Sequence, residues 1–494
     1  MLKIYNTLGK QLEEFKPLKP DCVSIYVCGP TVYDYLHVGN FRGPVFFNFV
    51  RNWLEHLGYT VNYAHNFTDV EDKIIKRAAE QNKTTFELSE FYIDEYKKDF
   101  ASLGLRKHDH NPKVTDYMPQ IISMIGELVE KKKAYTTKVT ADSSDVNYSI
   151  SDFKEYGKLS GRNIDDMQAG SRIEVDEKKK HPLDFALWKS ASVSEVHWPS
   201  VWGPGRPGWH IECSAMIKAL YGNQIDIHGG GLDLMFPHHE NEIAQSEGCA
   251  GPGFVKYWMH WNMINFSGAK MSKSLGNIIS LRDFLKQQHP EIYKWMMLSV
   301  HYRSTAEFGT ENIDRAINGL AKVYSALAMA ESLIQDCNAA ENKSTFTKDE
   351  KYLLEVTEAW NKIESALNDD FGTPAAFAVM FDMIRGFNAK NKRGMKLSAT
   401  THSQAKQFVA FIKKFGQVLS LFQENAAEFL TSLDNQLLNK AGVERATVDS
   451  LVQERSAARL AKDFAKSDEL RKKLTDFKIL VSDLPTGSFW EVMK

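Results

Sequence analysis

The sequence predicts a doubly wound α/β fold, a parallel sheet with helices on both faces, which carries an insertion and is followed by an α-helical bundle and a small mixed C-terminal domain. Three observations lead there. Val23-Ser24-Ile25-Tyr26-Val27 reads as a buried strand running into the tight turn Gly29-Pro30. An apolar-rich segment then stops at Gly58, and Thr60 to His65 alternates as the next strand, so that strand, turn, helix and parallel strand close one βαβ unit. Gln224 to Ile227 and Tyr257 to Phe266 supply the strand-like segments of a second half, and from Arg303 to about Leu430 the pattern becomes long, helical and Ala/Leu-rich.

The expected division follows from these shifts: residues 1–102 form the first half of a nucleotide-binding fold, 103–199 an inserted domain, 200–302 the second half, 303–430 the bundle and 431–494 the small C-terminal domain. The insertion contains a turn-rich stretch from Thr136 to Gly161 and the charged run Glu174 to Lys180. Inside the bundle, Asp369-Asp370-Phe371-Gly372-Thr373-Pro374 reads as a turn and a Pro-initiated helix start. Near the end, Lys478 to Asp483 and Thr486 to Trp490 read as short strands beside a helix.

Composition narrows the class. A chain of 494 residues exceeds what one core usually fills, and 43% hydrophobic residues suffice for burial. No apolar run is long enough to span a bilayer, and the stretch Met1 to Asn6 lacks a cationic-then-apolar leader, so no membrane contact and a cytoplasmic location are expected. Five scattered cysteines argue against a disulfide framework and leave thiols free for metal. With a net charge of −2, any nucleic-acid binding needs a local basic surface.

Cys28 follows the first strand, Cys213 opens a helical run in Gly208-Trp209-His210-Ile211-Glu212-Cys213, and His238 and Glu242 stand four apart in a helix-like stretch, so they point the same way. Taken singly, each thiol reads as a small buried hydrophobe and the His-Glu pair as a solvated helix face. Taken together, two thiolates, one imidazole and one carboxylate suit a single Zn²⁺ better than magnesium or calcium, which take oxygen shells.

Two further segments carry phosphate chemistry. The turn from Gly29 to Asn40 leads into a helix start, the geometry that sets phosphates against free backbone N–H groups. Lys270-Met271-Ser272-Lys273-Ser274 is a Gly-flanked loop whose lysines can neutralise charge on a triphosphate. A third feature is a basic stripe: within Leu451 to Leu474, read as one amphipathic helix, Arg455, Arg459, Lys462, Lys466 and Lys473 recur at three-, four- and seven-residue steps beside Leu460, Phe464, Leu470 and Leu474. Read alone, with Asp463, Asp468 and Glu469 interleaved, that stripe is a solvated face.

In order along the chain, these segments resemble the class I aminoacyl-tRNA synthetases, with their Rossmann-like catalytic domain and two signatures, here His37-Val38-Gly39-Asn40 and Lys270-Met271-Ser272-Lys273-Ser274. The closer resemblance is to the cysteinyl-tRNA synthetases, through Cys28 to Asp34, Phe67 to Ile74, Pro207 to Ser214 and Asp226 to Glu242. It implies activation of L-cysteine by ATP with Mg²⁺, transfer to the 3′ end of tRNA(Cys), and a monomer. His37, Lys270 and Lys273 would stabilise phosphate charge. Gly39, Asn40, Ser272 and Ser274 would join them at ATP, with Gly229, Gly230 and Gly231 admitting adenosine to the backbone and Asp233 accepting from the ribose. Gly29, Thr68, Trp209 and His228 would frame the cysteine, with His210 and His239 near the metal. The insertion would lie at the acceptor end, and Arg455, Arg459, Lys462 and Lys466 would face tRNA. Asn40 departs from the usual second histidine of the first signature, which implies a rearranged phosphate contact. A cysteine:aminosugar ligase, which resembles the same catalytic half, and a non-catalytic RNA-binding relative are the alternatives.

Overall fold

The computed structural model describes residues 1–162, 179–266, 269–270, 279–339, 346–392, 394–484 and 487–494. The described chain divides into two compact units, Met1–Ile264 with Lys270–Leu281 and Tyr302–Thr305, and Asn265–Ala269 with Arg282–His301 and Ala306–Lys494. Arg282–His301 thus goes with the helical unit, earlier than the boundary expected at 302.

In the first unit, β1 (Cys22–Val27), β2 (Thr60–His65), β3 (Ile225–Gly231) and β4 (Val255–Trp261) form one parallel sheet in the order β4-β3-β1-β2. β1 starts the first winding toward β2 and has β3, the start of the second winding, on its other side. The boundary between β1 and β3 is therefore a topological switch point, where strand ends open a crevice. Cys28 closes it with a backbone bond of 3.1 Å to Gly229. The three glycines continue β3 rather than follow it, and the segment expected as one strand from Tyr257 bends at Asn262 and Met263 before Ile264–Phe266.

The helix α1 (Arg42–His56) crosses between β1 and β2 and is buried almost all round, with Phe46, Phe47, Phe49, Val50, Trp53 and Leu54 in the core, as a central crossover helix must be. Gly58, at φ 97°, ends it where the sequence put the stop. α2 (Trp209–Tyr221) and α3 (Glu240–Ala250) belong to the second half. The insertion builds an antiparallel sheet of Ala134–Lys138, Ser144–Tyr148 and Phe185–Ser190, to which Gly205–Pro207 adds a fourth strand; of the run Glu174 to Lys180, residues 174–178 lie outside the described residues.

In the second unit, Thr310–Ala339, Glu350–Leu367, Thr373–Lys390, Thr401–Leu419 and Ala426–Ala441 are helices, and the Pro-initiated start is present with Pro374 in the first turn. The C-terminal part pairs α4 (Arg445–Leu460) and α5 (Phe464–Asp476) with the hairpin β5 (Ile479–Leu484) and β6 (Gly487–Val492). Here the single amphipathic helix expected from Leu451 to Leu474 is corrected. Lys462 turns at φ 60°, and the Asp463 carboxylate caps α5 by accepting from the Lys466 N–H at 3.1 Å. Breaking the helix rotates its faces: Leu470 and Leu474 stay buried while Leu460 and Phe464 are 87% and 65% exposed.

Candidate metal and substrate site

Cys28, at the end of β1, Cys213, on α2, and His238 and Glu242, at the start of α3, bring one ligand atom each to within 4.8 Å of one another, all buried. The two Sγ atoms are 3.9 Å apart, and His238 Nε2 lies 3.0 Å from Glu242 Oε1. A tetrahedral zinc with sulphur arms of about 2.3 Å has an S···S edge of about 3.8 Å, so this donor set fits the ion. The four residues predicted from sequence thus converge at the switch point.

Around them is a ring of histidines. His228 Nε2 is 2.9 Å from Glu242 Oε2, His210 Nδ1 is 3.0 Å from His238 Nδ1, and His239 Nε2 is 3.3 Å from Cys28 Sγ. His239 Nδ1 in turn meets His260 Nε2 at 2.8 Å, and His260 Nδ1 meets Thr7 Oγ1 at 2.9 Å. Such outer partners orient ligands. His260 escaped the sequence reading because it sits within a strand; its signal is its place opposite Gly230 in the register of β3 and β4.

The electrostatics sort the group by charge. Burial pushes the Cys28 thiol well up, with Cys213 adding to it, while the hydrogen bond with Cys28 draws Cys213 down to about 6. Burial opposes charge on His238, but Glu242 and Cys213 outweigh it and raise the imidazole to about 10. Burial likewise opposes charge on Glu242, which His228 and His238 nevertheless hold at about 2. His210 and His239 are depressed well below the usual imidazole range, and His260 to about 3, chiefly by burial. Opposite charges thus favour one another inside the cluster, while burial holds the His210, His239 and His260 rings toward their neutral forms.

Thr68 and Trp209 lie beside it. The Trp209 ring stacks on His238 at 4.3 Å and is 39% exposed, so it covers that ring while facing solvent. Thr68 is bound by backbone to the turn after Cys28, its N–H donating to Pro30 and its carbonyl accepting from Val32, both at 3.1 Å. Gly29 is required by packing, since a Cβ there would stand 1.6 Å from the Asn66 carbonyl oxygen. A cavity of about 380 Å³ opens at Trp209 and His210, lined also by Glu71, Asp72 and Glu212.

The first signature forms a tight turn. The Asn40 Oδ1 accepts from the His37 N–H at 3.0 Å, and the Asn40 N–H donates to the His37 carbonyl at 2.9 Å. Asn40 therefore caps the short turn that leads into α1. Gly39 lies in the same turn, and Asp233 is exposed just past β3. The glycines of β3 also have a packing reason: a Cβ at Gly229 would stand 2.2 Å from Phe47 Cζ, and one at Gly230 2.3 Å from His239 Cε1. Lys270 ends a two-residue strand, and Ser272, Lys273 and Ser274 lie outside the described residues.

The proposed RNA stripe needs one correction. Arg455 is 2% exposed and forks onto Asp483 with bonds of 2.8 and 2.9 Å, so it holds the hairpin to α4 and cannot meet phosphate. Arg459, Lys462 and Lys466 remain exposed around Leu460 and Phe464.

Residues 14–318 match the family model described as tRNA synthetases class I (C) catalytic domain, and residues 362–423 match the DALR domain. The chain is 62% identical to a cysteine–tRNA ligase of Bdellovibrio bacteriovorus over 495 residues, covering 100% of both, and 41% identical to one of Geotalea uraniireducens over 496 residues, covering 99% of both. In fold it is similar to the methionyl-tRNA synthetase of Mycobacterium tuberculosis in complex with methionyl-adenylate, at a TM-score of 0.62 and 12% identity over 83% of this chain and 93% of that one. No helix among the described residues is long and apolar enough to cross a membrane. With the catalytic model covering more than half the chain and relatives aligned end to end, the protein belongs to the cysteine–tRNA ligase family of class I tRNA synthetases.

Proposed function

We propose that this chain activates L-cysteine with ATP and transfers it to the terminal adenosine of tRNA(Cys), with one zinc ion selecting the thiol. The observation that carries the reading is the buried set Cys28, Cys213, His238 and Glu242, with its 3.9 Å sulphur pair, in a chain aligned end to end with cysteine–tRNA ligases. Steric sieving between cysteine and serine gives only about 1–3 kcal/mol. When bound, zinc supplies a soft position that takes a thiolate in preference to an alcohol.

The chain's own residues do the rest. His228 and His210 fix the rings and carboxylate of the ligand set, Trp209 shields it from water, and Thr68 and Gly29 bound the space for the amino acid. His37 and Lys270 with Lys273 stabilise charge on the phosphates of ATP, which comes with Mg²⁺, while the cysteine carboxylate attacks the α-phosphorus and pyrophosphate leaves. Gly39 and the three glycines of β3 bring backbone close to the nucleotide, and Asp233 receives the ribose. For tRNA, the support favours exposed Phe464, with Arg459, Lys462 and Lys466 beside it: a face for base stacking with cations along its edge.

The test is charging of a tRNA mixture with labelled cysteine. Cysteinyl-tRNA is expected; cysteine-dependent pyrophosphate exchange with no tRNA product would move the reading to the aminosugar ligase.

A further inference from the structure

One turn of the insertion, Gly157–Gly161, lies against the segment that carries two of the four metal ligands. Glycines at φ 98° and 71° bracket it, and the Gly161 N–H closes it on the Gly157 carbonyl at 2.7 Å. Its donors converge on one side chain. The Leu159 N–H donates to Glu240 Oε1 at 3.3 Å, and Ser160 donates to Oε2 from both its N–H, at 2.9 Å, and its hydroxyl, at 2.8 Å. Successive backbone N–H groups in a turn make a concavity that binds anions in other proteins. Here the concavity takes a carboxyl group that is fully buried. Neighbouring contacts widen the grip: the Tyr156 hydroxyl donates to Asn241 Oδ1 at 2.5 Å, and the Arg162 guanidinium lies 4.6 Å over the Phe236 ring.

The grip falls where the ligand segment lacks support of its own. His238 precedes the regular part of α3, and the backbone just before it leaves helical angles at Phe236, with φ −139° and ψ 132°. His238 thus stands in a first turn, where N–H groups have no intrahelical partner and a helix frays unless something ties it. Glu240 and Asn241 lie between the two ligands in sequence, and both are bonded to the insertion. Ligands keep a metal's geometry only when the shell behind them holds them still. We propose that Glu240 is a positioning residue for the metal set: through it the turn Gly157–Gly161 holds His238 and Glu242 in place, so that zinc retention depends on the insertion.

This rests on the reading of the four residues as a zinc set, and the experiment separates the two. Full-length parent, Glu240→Ala, Ser160→Ala, the double variant and Lys158→Met are compared for zinc affinity, by competition with a chelator, and for the KM of cysteine and of ATP in pyrophosphate exchange. Lys158→Met controls for mere stability, because Lys158 belongs to the same turn but donates to Glu247 Oε2, at 2.6 Å, beyond the ligands. Glu240→Ala is expected to weaken zinc binding about 10- to 100-fold and Ser160→Ala about 3- to 10-fold, each with a raised cysteine KM and an ATP KM within about 2-fold of the parent. Ser160→Ala should add little to Glu240→Ala, since its donors have already lost their acceptor. Lys158→Met should keep the parent's zinc affinity. Unchanged zinc affinity in a folded Glu240→Ala, equal weakening in Lys158→Met, or full additivity in the double variant overturns the role while leaving the zinc set standing. Should Glu240→Ala fail to fold, Ser160→Ala against Lys158→Met decides. A parent that binds no zinc removes the set and the role together.

Discussion

Cys28 and Cys213 place their sulphur atoms 3.9 Å apart although 185 residues separate them in sequence. Nothing local enforces that approach: one residue ends a strand and the other stands on a helix of the second winding. Oxygen in place of one sulphur removes a soft ligand and leaves the fold's packing nearly intact. Cys213→Ser is expected to lower bound zinc from one per chain to well below half, measured by metal analysis after dialysis, with an unchanged thermal midpoint for the second unit.

Arg42 is buried, and its guanidinium donates to the carbonyls of Asn262 at 2.7 Å, Met263 at 2.6 Å, Tyr302 at 3.3 Å and Ser304 at 2.6 Å. It ties the start of α1 to the bend at Asn262 and Met263 and to the segment from Tyr302. Arg42→Met leaves those carbonyls without their donor, and a loss of about 3 kcal/mol in urea unfolding is expected. Arg42→Lys, which keeps the charge but not the fork, should recover part of it.

Gly230→Ala drives a methyl toward the His239 ring, 2.3 Å from Cε1. Because His239 also touches Cys28, the variant should lose zinc to a chelator several-fold faster than the parent. Gly229→Ala, directed at Phe47, should instead cost about 1–3 kcal/mol in stability through overpacking.

Much of this was legible in the sequence, and the failures have physical causes. The strand before Cys28 and the βαβ unit follow from burial patterns, which are local, whereas Cys28, Cys213, His238 and Glu242 read as one set only when taken together. The outer ring was only partly legible: His260 looks like any strand residue until register sets it opposite Gly230, and Glu212 looks like a helix carboxylate until Thr68 arrives from another strand end. Asn40 was read for phosphate because its signature is a phosphate signature; the bond its oxygen accepts from the His37 N–H was not legible. The C-terminal stripe misled because periodicity cannot see Lys462 turn, nor Asp483 reach Arg455 from a hairpin that follows.

That last pair makes a pH-dependent prediction. Arg455 holds the Asp483 carboxyl well below its usual range. A depressed carboxyl contributes stability that is full above its unfolded value of about 3.9 and is lost as pH falls through the folded one. Arg455→Gln should destabilise the C-terminal hairpin by about 2–3 kcal/mol at pH 7, the lower end for breaking a buried pair because Asp483 is partly exposed. Hydrogen exchange of Ile479–Leu484 reads it, and the gap from the parent should narrow below about pH 4.

The most direct test of the central claim, that the metal set chooses the amino acid by its thiol, is pyrophosphate exchange driven by cysteine against serine in zinc-loaded parent and Cys213→Ser. The account predicts strong exchange with cysteine and almost none with serine in the parent, and a collapse of the cysteine rate in the variant while ATP binding persists. Equal discrimination in parent and variant would contradict it.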